Sequence, residues 1–241
     1  MSADWLELST KEPFGVGGRR LCFEHPHDKS LCIKVLRTDA DRTVRLKKSS
    51  AWKTRLGRVY DNNEHERLEL DRLYAQHGEV LHKHFPKHYG YIDTDMGPGL
   101  VLDLMRDSDG EISMSLREWI TIGRPLSELD AAFQEFGAFL SRYAVLTRDL
   151  LDHNLVAVRD SDQSLRLVMI DGIGNAALVP VANWIKPLAR LRIKGKLEKA
   201  WARMRELEAR GGIAEEIVND SSWGQGFRYN KGINERLRNQ R

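Results

Sequence analysis

Thr147-Arg148-Asp149-Leu150-Leu151-Asp152-His153-Asn154 is followed, after an intervening hairpin, by Ile170-Asp171-Gly172-Ile173-Gly174, and these two stretches decide how the chain folds and what it does. A carboxylate at Asp149, just past a long helix, can orient an attacking hydroxyl. Asn154 and Asp171 stand on either side of the hairpin, where their oxygens can converge on magnesium. Taken singly, Asp149 reads equally well as a helix cap, and Asn154 and Asp171 as turn residues.

Three features upstream fall in the same order. Phe14-Gly15-Val16-Gly17-Gly18-Arg19-Arg20 precedes a hairpin, and Gly15, Gly17 and Gly18 let backbone N–H groups approach phosphate oxygens without side-chain obstruction. The pattern departs from G-x-G-x-x-G, with Arg20 where the third glycine belongs. Lys34 lies inside the apolar strand Cys32-Ile33-Lys34-Val35, where a cation needs an anion to meet it. Glu69 on the following helix is the preferred carboxylate, because Leu70 and Leu73 mark its neighbourhood as packed; Glu66, one turn earlier, is the alternative.

The elements between these features are legible. Leu21 to Leu36 reads as two strands around the turn Glu24 to Ser30. Leu70, Leu73 and Tyr74 recur at helical spacing over Asn62 to His77, with Asn62 as a cap and Gly78 just past the end. Gly99 to Met105 is a buried strand running into a polar connection at Arg106 to Gly110. Ser127 to Leu146 is a long helix opened by Ser127 with Asp130 three residues on. Leu155 to Val158 and Leu165 to Ile170 form a second hairpin, and Lys196 to Arg210 a basic helix.

Composition bounds the rest. A chain of 241 residues, 30% charged and 41% hydrophobic, buries a core and is not disordered. Met1 to Pro13 carries acids and lacks the pattern of a signal peptide, and the most apolar window, Leu165 to Ile185, is broken by Arg166, Asp171, Asn175 and Asn183. Cys22 and Cys32 match neither a disulfide framework nor a zinc pattern. A cytoplasmic protein is expected, in peripheral contact with the inner membrane if its basic segments bind that surface. Net charge is only +3, but Arg42 to Arg58 holds seven cations and no acid, and Lys186 to Arg210 and the tail from Arg228 repeat the bias. Such runs are either solvated faces or anion-binding surfaces.

Glycine loop, strand lysine, helix glutamate, hinge, R-D-x-x-x-x-N and D-x-x-G together resemble the protein-kinase superfamily. The resemblance implies an α+β, kinase-like two-lobe fold with a reduced C-terminal lobe: residues 1–105 as the nucleotide-binding lobe and 106–241 as a mainly helical lobe carrying the catalytic loop and metal site. It implies ATP and Mg2+ as cofactors. Lys34 then holds the α and β phosphates, Glu69 pairs with it, Asp149 is the base, and Asn154 and Asp171 bind the metal. Cys22 and Cys32 fall over the adenine, and backbone groups of Asp103 and Met105 on its polar edge. More narrowly, Gly17, Cys22 to Pro26, Cys32-Ile33-Lys34, Pro86 to Gly90, Gly97 to Leu100 and Ile173-Gly174 resemble the YrbL family of PhoP-regulatory-network proteins, whose name implies bacterial magnesium and envelope sensing.

The sequence departs from the kinase pattern at Thr147 (usually His), Leu151 (the lysine that touches the transferred phosphate) and Gly172 (the Phe of D-F-G). Another cation, from a basic segment or Arg19 or Arg20, has to offset charge on the γ-phosphate. A-P-E is absent and little chain follows Gly174, so the hydroxyl acceptor is an envelope saccharide or a protein Ser/Thr. Two alternatives come from other classes: a nucleotide-binding regulatory pseudokinase, suggested by Leu151 and Gly172, and a basic nucleic-acid-binding module, suggested by Arg42 to Arg58.

Overall fold

Alternation along the first hairpin sets the layers. The computed structural model describes residues 5–17, 19–37, 61–148, 150–174 and 186–212. Strands β1 (Trp5–Leu6), β2 (Gly15–Val16), β3 (Arg20–His25), β4 (Asp28–Leu36), β5 (His88–Thr94) and β6 (Gly99–Asp103) form a six-stranded sheet in the order β1-β5-β6-β4-β3-β2. All neighbours are antiparallel except β1 and β5. On one face Phe23, Ile33, Val35 and Val101 pack with Leu6 and Leu8 into a small apolar cluster. Period-2 geometry sends Arg20, Cys22, Cys32 and Lys34 to the other face. Gly99 lets β6 approach β4 closely, since a Cβ there would come within 2.4 Å of Ile33 Cγ2.

Helix α1 (Asn62–His77) covers that second face. Its cap is Asp61, one residue before the expected Asn62: the Asp61 carboxylate accepts from the N–H groups of Asn63 (2.7 Å) and Glu64 (3.2 Å). The helix buries Asn63, Glu66, Leu70 and Leu73, a single stripe at steps of three and four residues.

Beyond β6 come β7 (Met114–Ser115), α2 (Leu116–Thr121), α3 (Asp130–Tyr143), β8 (Leu155–Arg159), β9 (Leu165–Met169) and α4 (Lys186–Ala209). Strands β7, β8 and β9 form a three-stranded antiparallel sheet. The architecture is α+β, as expected. Helix α3 begins at Asp130 instead of Ser127, because extended Pro125 leads straight into a 3-10 turn over Leu126–Leu129 and places Ser127 inside that turn. Helix α4 starts ten residues before the expected Lys196. Ala189, Ile193, Ala200 and Met204 are its buried stripe, hidden in the sequence among basic residues. Phe133 of α3 stacks on Trp201 of α4 with ring centroids 4.2 Å apart. The main core is continuous from Leu70 and Leu102 to Trp119, Phe136, Leu155 and Met204. No described helix is long and apolar enough to cross a membrane.

Candidate functional site

The glycine stretch forms the turn between β2 and β3. Gly15 pairs with Cys22 and Val16 with Leu21, and the Gly17 N–H donates to the Arg20 carbonyl at 2.8 Å. Gly18 lies outside the described residues. The turn is tied on both sides: Arg37 donates to the Gly17 carbonyl (3.2 Å), and Arg19 to the Asn62 side chain at the start of α1 (3.2 Å). Beneath it Cys22 faces Lys34 across the β3–β4 ladder, and Cys32 follows on the same face.

Four charged side chains meet under this hairpin. Lys34 Nζ donates to Glu66 Oε1 at 2.8 Å and to the Ile170 carbonyl at 2.7 Å. Arg20 Nη1 bonds the other Glu66 oxygen, and its Nη2 reaches Asp171 Oδ2 at 2.5 Å. Burial opposes both cations, but Glu66 and Asp171 outweigh it, so Lys34 and Arg20 titrate above their ordinary ranges. Partial burial would push the Asp171 carboxyl up; Arg20, Lys34 and the Gly172 N–H overrule that and hold it well below the ordinary carboxylate range. Asp171 is therefore ionised at neutral pH while its side chain is half exposed.

The expectation that Glu69 pairs with Lys34 is corrected: the partner is Glu66. Glu66 shares the buried stripe with Asn63, Leu70 and Leu73, whereas Glu69, one position before Leu70, is rotated off it and pairs with Arg72 at 2.9 Å. Glu69 still touches the second motif: a Cβ on Gly174, whose φ is +98°, would lie 2.9 Å from its Cγ and Cδ. The backbone conformation there favours glycine, and a Cβ would also have to displace the Glu69 side chain.

Asn154 and Asp171 flank the open end of the β8–β9 hairpin, joined by the Ile170 N–H donating to the Asn154 carbonyl at 2.9 Å. Ile170 thus links Lys34, Asn154 and Asp171. Asp149 lies outside the described residues, but its neighbours are firmly held. Lys196 of α4 bonds the Thr147 carbonyl and donates to that of Arg148 at 2.7 Å. Arg203 donates to the Leu150 carbonyl at 2.5 Å. Arg117 of α2 pairs with the buried Asp152 carboxylate. The Arg148 N–H reaches the Gly172 carbonyl at 2.6 Å, and its guanidinium rests on His65 of α1. Two cations of the basic helix thus bond backbone carbonyls, Lys196 from a half-buried position and Arg203 from an exposed one. Residues 42–58 and the tail from 228 lie outside the described residues.

At the end of β6, the Asp103 N–H donates to the Lys87 carbonyl (3.1 Å), and just beyond it the Met105 carbonyl accepts from Ser113 (3.0 Å). Among the described residues this leaves the Asp103 carbonyl, 3.7 Å from the Cys32 thiol, and the Met105 N–H with bonding capacity. Burial pushes both thiols up, Cys32 to about 12, so neither is a nucleophile at neutral pH. No group of three or more His, Cys, Asp or Glu among the described residues could hold a metal by itself. One ionised carboxylate and one amide oxygen donor suit magnesium, which takes few protein ligands and completes its shell with water and phosphate.

Sequence reasoning missed Arg20 as a buried member of the site. Its signal was alternation: Arg20 is two residues from Cys22, and Cys22 faces Lys34. The family model described as PhoP regulatory network protein YrbL matches residues 6–207. The Escherichia coli K12 protein named Uncharacterized protein YrbL is 29% identical over 203 residues, which cover 82% of this chain and 85% of the relative, and the Shigella flexneri protein of the same name matches equally.

Proposed function

The chain belongs to the YrbL family of PhoP regulatory network proteins, and on that premise we propose that it is an ATP- and magnesium-dependent phosphotransferase of kinase-like, two-lobe build, acting on the hydroxyl of an envelope saccharide or a protein Ser/Thr. The observation that carries this is the Lys34–Glu66 ion pair, buried under a glycine hairpin and next to ionised Asp171. A lysine fixed by a carboxylate is positioned to take α and β phosphate oxygens. Gly15 and Gly17 keep side chains out of the way of the phosphates, the Gly17 N–H itself being used within the turn, Cys22 and Cys32 line the adenine, and the Asp103 carbonyl and Met105 N–H meet its polar edge. Asn154 and Asp171 are the residues to hold magnesium, which when bound neutralises phosphate charge. Asp149 orients the acceptor hydroxyl and takes its proton, and Lys196 and Arg203 hold the carbonyls around it in place.

A second reading, a nucleotide-binding pseudokinase, is favoured by Arg20 on the Asp171 carboxylate and by Leu151 where kinases carry lysine. Calorimetry and turnover separate the two. Magnesium-ATP at about 100 times its Kd should stabilise the protein by about 2.7 kcal/mol, and Lys34→Met should weaken binding. Asp149→Asn should leave ATP binding intact and lower phosphate transfer by about two to four orders of magnitude. No binding to the wild type rejects a nucleotide site; binding with turnover equal to that of Asp149→Asn leaves the pseudokinase.

A further inference from the structure

We propose that Arg20 is a resident counter-cation that bars free divalent metal from Asp171, so that magnesium enters this site only together with nucleotide phosphate. The proposal deepens, and rests on, the nucleotide-site reading.

Arg20 is fixed at both ends of its guanidinium. Nη1 bonds Glu66 and lies 3.4 Å from Asn63 Oδ1, Nη2 bonds Asp171 Oδ2 at 2.5 Å, and the side chain is only 7% exposed. The other Asp171 oxygen takes the Gly172 N–H at 2.6 Å. Each carboxylate oxygen therefore already holds one donor, one of them charged. The four side chains sum to zero: Arg20 and Lys34 against Glu66 and Asp171. A magnesium ion bonds a carboxylate oxygen at about 2.1 Å. On Asp171 it would sit within a few ångströms of the Arg20 guanidinium, adding two positive charges to a cluster that, among the described residues, already sums to zero.

Nucleotide phosphates reverse this balance. They bring negative charge that Arg20 and Lys34 attract and that offsets the metal, while the half-exposed side of Asp171 keeps lone pairs open to solvent. Arg20 then serves as a specificity-determining residue: it makes metal uptake conditional on the nucleotide. The position belongs to a glycine in the kinase pattern, where no side chain could do this.

The test uses full-length protein and Mn2+, whose free concentration is read directly by electron paramagnetic resonance. Wild type should take up no Mn2+ alone and should take it up once ATP is added. Arg20→Gln, which leaves Glu66 paired with Lys34, should gain about tenfold or more in affinity for Mn2+ alone, and adding Asp171→Asn should abolish the gain. Wild type that binds Mn2+ without nucleotide at a site lost in Asp171→Asn overturns the proposal. So does a folded Arg20→Gln that takes up none. If Arg20→Gln does not fold, Asp171→Asn decides: freed of its anion, Arg20 should tighten binding of metal-free ATP in EDTA, and unchanged or weaker binding overturns the proposal. Wild type that binds no ATP in any form rejects the nucleotide reading, while the comparison with Mn2+ alone still decides the role of Arg20.

Discussion

Two pairs of cations flank the site and behave differently. Arg20 and Lys34 come from strands, stand apart in the sequence, are 6% and 7% exposed, and meet carboxylates. Lys196 and Arg203 come from the basic helix α4 and meet backbone carbonyls of the loop around Asp149. A carboxylate partner carries a full charge that an incoming phosphate can compete with. A carbonyl partner offers only a dipole, and its bond positions the chain. On the proposed reading the strand pair serves ligand recognition and the helix pair holds the loop, although a count of charges ranks the helix first.

Removing the shared carboxylate should break the strand pair with the largest effect. Glu66→Gln leaves Lys34 and Arg20 buried with Asp171 as their one carboxylate, and should cost about 3–5 kcal/mol in urea denaturation. Glu69→Gln removes only the partly exposed pair with Arg72 and should cost less than about 1 kcal/mol. Equal losses would mean that α1 has been assigned the wrong buried face. Lys196→Met should cost about 1.5–3 kcal/mol, the range for hydrogen bonds to a charged group, and should speed hydrogen exchange in residues 147–154 before the rest of the chain. Unchanged exchange there would remove the distinction between the two pairs.

The smallest effect concerns a buried group without charge. His84 is fully buried against Phe136 and Phe139, its Nδ1 bonds the Leu167 carbonyl at 2.7 Å, and its Nε2 is buried without a partner among the described residues. Burial lowers its pKa below the ordinary 6.5. Because the unfolded chain then binds the proton more readily, its contribution to stability is complete above about pH 6.5 and is lost as pH falls toward the lower folded value. His84→Leu should flatten the fall in stability between pH 7 and 5. An unchanged slope would assign the fall to His25, His65 and His153, whose pKa values are also lowered.

Local patterning made most of the fold readable. The alternation of Leu21 to Leu36 gave the first hairpin, and Leu70, Leu73 and Gly78 gave α1 to its last residue. The site was less legible where neighbourhood in sequence was taken for neighbourhood in space. Glu69 adjoins Leu70, yet Glu66 lies four residues before Leu70 and seven before Leu73, the spacing that shares a helix face. Arg20 was visible as a departure from a glycine pattern and as one candidate cation for the γ-phosphate, but not as a buried partner of Glu66 and Asp171, which are 46 and 151 positions away (66 − 20 and 171 − 20). The role of Lys196 and Arg203 could not be read at all, since a basic run looks alike whether it faces water or backbone.

Those long separations carry a consequence for how the protein is made. As the chain leaves the ribosome, β3, β4 and α1 are complete by residue 77, but Asp171 emerges 94 residues later (171 − 77). Until then two buried cations share one carboxylate, so the first part carries an excess positive charge that water or a transient partner must satisfy. The glycine hairpin is therefore expected to settle late, after the β8–β9 hairpin has closed and delivered the last anion. A chain interrupted before residue 171 has Glu66 but lacks the charge that completes the site.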